Sequence, residues 1–121
     1  MFILVTGASG QLGRSIQNLV KKSYTNHSFI FVTREQLDLS SLSNIQSYFQ
    51  ARKFDLIINC AAYTAVDLAE QYKEKANMIN HLAVKQVAEI AKSNNIKLIH
   101  ISTDFVFDGL KNQPYSESDT T

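Results

Sequence analysis

Residues 2–13 read FILVTGASGQLG, an apolar run that leads into a turn with glycines at positions 7, 10 and 13. The run Phe2–Thr6 is continuous rather than alternating, which is typical of a strand buried on both faces of a parallel sheet. After the glycines, Leu12, Ile16 and Leu19 fall on one helical stripe that ends near Lys21 and Lys22. The segment therefore predicts a strand, a tight turn and a helix, which is the start of a βαβ unit.

The same alternation of strand and helix continues along the chain. Strands are predicted at 29–33, 54–60 and 96–102, helices at 42–49 and 76–95, and a loop at 104–121. Ser40 or Ser43 is the predicted N-cap of the helix at 42–49, since Ser43 and Gln46 have capping-box spacing. The pattern predicts an α/β fold, a Rossmann-type doubly wound parallel sheet of four strands in the order 3-2-1-4.

Composition excludes several classes of protein. The chain has 121 residues, 12 Lys and Arg against 11 Asp and Glu, and a formal net charge of +1. This balance argues against a nucleic-acid partner, and no apolar run is long enough to predict a membrane partner. Cys60 is the single cysteine, and His27, His81 and His100 are scattered, so neither a disulfide nor a metal site is expected. We expect a soluble, cytoplasmic protein with no leader peptide.

The glycine turn predicts a site for a dinucleotide. Glycines allow a tight turn, close approach of the backbone to a pyrophosphate, and close packing of the helix on the strand. The alternative is an ordinary turn between a strand and a helix. Cofactor choice depends on the end of the second strand, where Thr33 and Arg34 stand in place of the acid expected for NAD. Arg34 can pair with a 2′-phosphate or remain a solvated arginine. We favour NADP(H), with NAD(H) left open.

Small and polar residues also follow the later strands. Asp38 and Leu39 either border the adenine or only precede a helix cap. Ala61 and its neighbours admit a flat nicotinamide or, alternatively, allow close packing of helix on sheet. The hydroxyl of Thr103 can stabilise a developing alkoxide or simply close a turn. Cys60 is predicted to be a small buried hydrophobe rather than a nucleophile.

Four motifs together resemble one family. They are the glycine turn, NCAAYTAVDLAE at 59–70, STDFVFDG at 102–109 and PYSESD at 114–119. In this order the motifs resemble those of the dTDP-4-dehydrorhamnose reductases, members of the extended short-chain dehydrogenase/reductase group. The resemblance implies NAD(P)H-dependent reduction of a 4-keto sugar nucleotide in polysaccharide biosynthesis, with the nucleotide sugar as the partner and a homo-oligomer as an option.

The resemblance also assigns roles to residues. The pyrophosphate would contact Gly7, Gly10, Gln11, Leu12 and Gly13. The adenosine half would contact Thr33, Arg34, Asp38 and Leu39. The nicotinamide half would contact Ala61, Ala62, Tyr63 and Thr64. Thr103 would be the catalytic hydroxyl, with Asp104 and Phe105 beside the sugar. Members often carry Tyr at the position of Phe105 and Ala at that of Cys60, so the first of these replacements removes a hydroxyl that could touch substrate.

The family's catalytic acid belongs to a Tyr-x-x-x-Lys pair, which is absent from these 121 residues. None of the five tyrosines has Lys four positions later. We therefore expect residues 1–121 to be an incomplete NAD(P)-binding Rossmann domain without its substrate domain, inactive alone, with an exposed apolar patch near Ile99 and Ile101. The alternative is a non-catalytic NADP-binding module that resembles the regulatory subunit of methionine adenosyltransferase.

Overall fold

Four parallel strands form the sheet, and its centre is the strand that the opening sequence predicts. The computed structural model describes residues 1–23, 26–65, 72–103 and 106–120. The strands are β1 (Phe2–Thr6), β2 (Ser28–Phe31), β3 (Leu56–Asn59) and β4 (Lys97–His100). The register places Leu4 beside both Ile30 and Ile57, and Ile57 beside Leu98. The predicted α/β fold with a parallel, Rossmann-type sheet is confirmed.

The order of the strands is β2-β1-β3-β4, so the predicted order 3-2-1-4 is wrong. In the predicted order the third strand lies outside β2, whereas here β3 returns to the other side of β1 and pairs with it. The predicted third strand is present, so the error concerns only which strand it pairs with. Its pairing with β1 places Ile57 beside Leu4, and both side chains are fully buried in the main core. The segment after β2 forms turns, from which Leu37 and Leu39 pack into the same core.

Helices cover the two faces of the sheet to different extents. The described residues form the helices α1 (Gln11–Lys22), α2 (Leu42–Gln50), α3 (Lys73–Asn77) and α4 (Ala83–Ser93), with a π-helical turn at Met78–Leu82 between the last two. One core cluster joins Leu4 and Ile57 of the sheet to Ile45 of α2 and Val87 of α4. These four side chains are at most 2% exposed. This face of the sheet therefore carries the main core.

The other face is only partly covered. The side chains of Ile3 and Val5 alternate with those of Leu4 along β1, and both are buried. The corresponding side chains at the β4 edge remain open: Ile99 on β4 is 48% exposed, and Ile101, just after the strand, is 45% exposed. The predicted apolar exposure near these two isoleucines is confirmed. Self-association through them stays a prediction.

The N-cap of α2 is Ser41, so the predicted caps Ser40 and Ser43 are both wrong. The Ser41 hydroxyl oxygen accepts a hydrogen bond from the Asn44 backbone N–H at 3.2 Å. The Ser40 hydroxyl is used elsewhere, because it donates to the Asp38 carboxylate at 2.6 Å. Ser43 lies inside the helix. A competing hydrogen bond within the preceding turn therefore decides which serine caps the helix.

Candidate functional site

The carboxyl ends of β1, β2 and β3 meet at a cleft of about 240 Å³. Ligands of open α/β sheets bind at this edge because the loops that leave the strands converge there. Three groups of residues form its walls: the glycine turn after β1, the segment after β2 and the small residues after β3. Because β2 and β3 lie on either side of β1 in the sheet, the segments that follow them flank the glycine turn.

The glycine turn is packed too closely to carry side chains at two positions. Gly7 has φ +67°, and a Cβ there would lie 2.8 Å from the Ala61 nitrogen and from the Cys60 carbonyl group. A Cβ at Gly13 would overlap the Gly7 carbonyl oxygen. Gly7 and Gly10 line the cleft, whereas Gly13 is buried beneath the turn and Gln11 and Leu12 are exposed outside the cleft walls. The three glycines therefore serve different contacts.

Helix α1 begins at this turn and directs its N-terminus toward the cleft. The N-cap of α1 is Gly10, which has no side chain to accept hydrogen bonds from the first backbone N–H groups of the helix. The first turn of α1 also contains no acidic residue. The first N–H groups of a helix have no partner within the helix, and its dipole favours an anion there. The Gly10 N–H itself donates to the Gly7 carbonyl at 3.0 Å, which keeps the turn tight. This geometry suits a phosphate group.

The second wall joins a cation to an ionised carboxylate. Thr33, Arg34, Asp38 and Leu39, all predicted, line the cleft together with Leu37. The Arg34 Nε lies 3.5 Å from the Asp38 Oδ1, and the Arg34 side chain is 63% exposed. Hydrogen bonds from the Ser40 hydroxyl and backbone N–H, with a smaller contribution from Arg34, hold the Asp38 pKa below its ordinary value. Asp38 thus stays charged and orients an accessible guanidinium.

Asp38 belongs both to the cleft and to the turn before α2, while its predicted contact with the adenine stays a prediction. It lines the cleft, and it also holds the turn before α2, since its Oδ1 accepts both Ser40 hydrogen bonds. Its backbone N–H donates to the Asn44 Oδ1 at 3.0 Å. This turn places Arg34 at the cleft, so the carboxylate and the helix cap are parts of one local structure.

The third wall is formed by the segment after β3. Ala61, Ala62 and Tyr63 line the cleft, while Thr64 is exposed and is not among the lining residues. Thr103 is also exposed and outside the cleft walls. Asp104 and Phe105 lie outside the described residues. Nine of the thirteen residues predicted for the cofactor therefore meet at the cleft: Gly7, Gly10, Thr33, Arg34, Asp38, Leu39, Ala61, Ala62 and Tyr63. The other four, Gln11, Leu12, Gly13 and Thr64, are not among the lining residues, and neither is Thr103.

Other lining residues were not predicted. Thr6 and Ser9 adjoin the glycines in sequence, and Leu37 adjoins Asp38, so position along the chain could have indicated all three. Ile79 also lines the cleft, although its spacing had placed it on the core stripe of a continuous helix. Ile79 lies in the π-helical turn, and helical periodicity contains no signal for such a turn.

Cys60 lines the cleft, where its partly buried side chain favours the neutral thiol. Burial raises the pKa of Cys60, and the thiolate is the reactive form. We expect iodoacetamide to alkylate Cys60 several-fold more slowly than a small free thiol at about pH 8. Because the chain has one cysteine, the modified mass reports this site alone. Alkylation in urea provides the control, and a native rate equal to the unfolded rate would contradict the prediction.

Comparison with known proteins places the chain in a family. Residues 1–121 match the family described as the RmlD substrate binding domain. The chain belongs to that family. A dTDP-4-dehydrorhamnose reductase from Aggregatibacter actinomycetemcomitans is 38% identical over 117 residues, which cover 97% of this chain and 40% of the relative. The chain thus spans about 40% of the length of this RmlD-family relative.

Solved structures agree with the fold. A dTDP-4-dehydrorhamnose reductase from Clostridium acetobutylicum superposes with a TM-score of 0.90 at 40% identity, covering 98% of this chain and 42% of that one. The dTDP-4-dehydrorhamnose reductase from Bacillus anthracis was solved in complex with NADP. It superposes with a TM-score of 0.85 at 34% identity, and the match covers 98% of this chain and 42% of that one. In the part of the RmlD-family chain that the structure describes, no helix could span a membrane, and no cluster of potential ligands could hold a metal ion.

Proposed function

We propose that residues 1–121 bind NADP(H) and form the cofactor-binding part of a reductase of a 4-keto-6-deoxy sugar nucleotide, the reaction from dTDP-4-dehydrorhamnose to dTDP-L-rhamnose. The observation that carries the proposal is the cleft in which the glycine turn and Arg34 flank the N-terminus of α1. Relatives of which this chain spans about 40% are named as reductases of this kind, and one was solved with NADP. The bound cofactor would supply the hydride.

The chain's own residues fit such a group. A Cβ at Gly7 would collide with the backbone after β3, so at this position the turn presents only backbone atoms to the cleft. Backbone amides at the start of α1 would hold the pyrophosphate, and Arg34 would pair with the 2′-phosphate. Ala61 and Ala62 leave room for the flat nicotinamide half beside the end of β3. The proposal gives Thr103, Asp104 and Phe105 contacts with the sugar, with the Thr103 hydroxyl as hydrogen-bond donor to the keto oxygen.

Titration of NADPH into the purified chain, followed by the fluorescence of the cofactor, tests the proposal. We expect saturable binding and no steady oxidation of NADPH when the keto sugar is added, because these 121 residues contain no Tyr-x-x-x-Lys pair to donate the proton. Absence of binding at millimolar NADPH would refute the cofactor role. Steady turnover would refute the expectation that these 121 residues are inactive alone.

Arg34 provides a test of cofactor choice. We expect Arg34→Ala to weaken NADPH about tenfold and leave NADH unchanged, because a charged hydrogen bond to the 2′-phosphate is lost and NADH has no such group. Arg52→Ala is the matched control, since the Arg52 guanidinium lies 4.3 Å from the centre of the Tyr48 ring and is not a cleft residue. Equal loss of NADPH and NADH affinity would contradict the assignment.

A further inference from the structure

The π-helical turn Met78–Leu82 interrupts the helical stretch between α3 and α4. A π turn widens the helix by one residue, is rare, and occurs often at functional sites because it redirects side chains. Here it borders the cleft, which Ile79 lines. Asn80 is the next residue of the turn. Its side chain points at the third wall.

Asn80 makes two hydrogen bonds with the backbone of one residue. The Tyr63 N–H donates to the Asn80 Oδ1 at 2.7 Å, and the Asn80 Nδ2 donates to the Tyr63 carbonyl at 3.0 Å. An amide side chain carries one acceptor and two donors, so it can pair with both backbone groups of a residue in the way a neighbouring strand would. Residues 61–65 belong to neither helix nor strand. The two hydrogen bonds from Asn80 therefore take the place of the backbone hydrogen bonds that a neighbouring strand would make with Tyr63.

A second contact between the same two elements supports this pairing. The Lys75 Nζ lies 5.5 Å from the centre of the Tyr63 ring. The ring and the backbone of Tyr63 are therefore both held by the helical stretch that contains the π turn. Tyr63 itself lines the cleft beside Ala61 and Ala62. Asn80 is joined to the cleft through Tyr63, without lining the cleft itself.

We propose that Asn80 is a positioning residue for the cofactor, which orders the wall Ala61–Tyr63 before binding. The inference rests on the proposed function. Both bonds are solvent-exposed, so their net contribution to the stability of the whole fold is small. Their effect on binding is larger. If only a fraction of the molecules has an ordered wall, the apparent affinity for the ligand is the intrinsic affinity multiplied by that fraction.

Three variants separate positioning from folding. Asn80→Ala removes both bonds, and Asn80→Asp keeps an acceptor for the Tyr63 N–H but loses the donor to the Tyr63 carbonyl. Asn77→Ala is the control, since Asn77 is exposed and ends α3 in the same helical stretch. We expect the Kd for NADPH to rise about tenfold in Asn80→Ala, less in Asn80→Asp, and to remain unchanged in Asn77→Ala. The midpoint of thermal unfolding should change little in all three.

Amide hydrogen exchange supplies the readout specific to positioning. We expect faster exchange of the Tyr63 N–H in Asn80→Ala, with unchanged exchange in β1 and β3. Faster exchange at Tyr63 with an unchanged Kd would overturn the inference, as would a parallel loss of protection in the core strands. A wild-type chain that fails to bind NADPH overturns the proposed function instead, so the two failures are distinguished by the wild-type titration.

Discussion

Gly13→Ala is expected to destabilise the chain by about 3 kcal/mol or more, a large part of the 5–15 kcal/mol typical of a domain. The added Cβ would overlap the Gly7 carbonyl oxygen and lie 2.8 Å from the Ala8 Cα. Both contacts are with backbone, so no side chain can rotate away, and α1 must move off the turn that forms the cleft. Urea unfolding followed by circular dichroism measures the loss.

Substitutions at Gly10 and Gly109 are controls of graded expected cost for Gly13→Ala. At Gly10 the nearest atom is the Gly7 oxygen, 3.3 Å away, so Gly10→Ala should cost less than Gly13→Ala. Gly109 has φ +74° and nothing within 4 Å of an added Cβ, so Gly109→Ala reports the left-handed backbone penalty alone, about 1–2 kcal/mol. If Gly13→Ala were no more costly than Gly109→Ala, close packing of the turn would not be the reason for glycine at position 13.

Asn59→Leu is expected to cost about 2–3 kcal/mol, because it leaves a buried hydroxyl without its partner. Asn59 and Thr6 are each 2% exposed, and the Thr6 hydroxyl donates to the Asn59 Oδ1. The same oxygen accepts the Ala61 N–H at 3.3 Å, and the Asn59 Nδ2 pairs with the His100 Nδ1 at 3.0 Å. One buried amide thereby ties together the ends of β1, β3 and β4 below the cleft.

A double-mutant cycle tests whether the Asn59 effect comes from this pairing. Thr6→Val alone should cost about 1 kcal/mol, since Asn59 keeps its other partners. In the double variant Thr6→Val/Asn59→Leu the unpaired hydroxyl is gone, so the combined loss should be smaller than the sum of the two single losses. Strictly additive losses would show that the hydrogen bond between Thr6 and Asn59 contributes little, and that the cost of Asn59→Leu comes from its other partners, the Ala61 N–H and His100, or from its shape.

The sequence predicted the elements better than their arrangement. The limits of β1 agree with prediction, while β2 begins one residue early and β3 and β4 are shorter than expected. Local periodicity could locate these strands because buried strands are apolar throughout. It could not give the order of the strands. That order depends on whether the third strand pairs beside β1 or outside β2, and an apolar run is buried in either place.

The cleft was predicted in outline, with its supporting contacts missing. Gly7, Arg34 and Ala61 line it as expected, because strand ends and turn residues are visible in the sequence. Asn59 was visible only as a residue at a strand end, and Asn80 as a polar position on a helix. Their roles depend on partners more than 15 positions away, at Thr6 and Tyr63, and no short-range pattern encodes such pairs.

By itself the sequence determined the parallel α/β class, the glycine turn at the start of α1 and the strand ends at which the cleft forms, with Gly7, Arg34 and Ala61 among its lining residues. These follow from local properties: glycine alone tolerates the Gly7 backbone, and apolar runs must be buried. The tertiary structure alone decided the strand order, the cap of α2 and the π turn that brings Asn80 to Tyr63. In each of these, two locally acceptable arrangements compete, and long-range packing and hydrogen bonding select one.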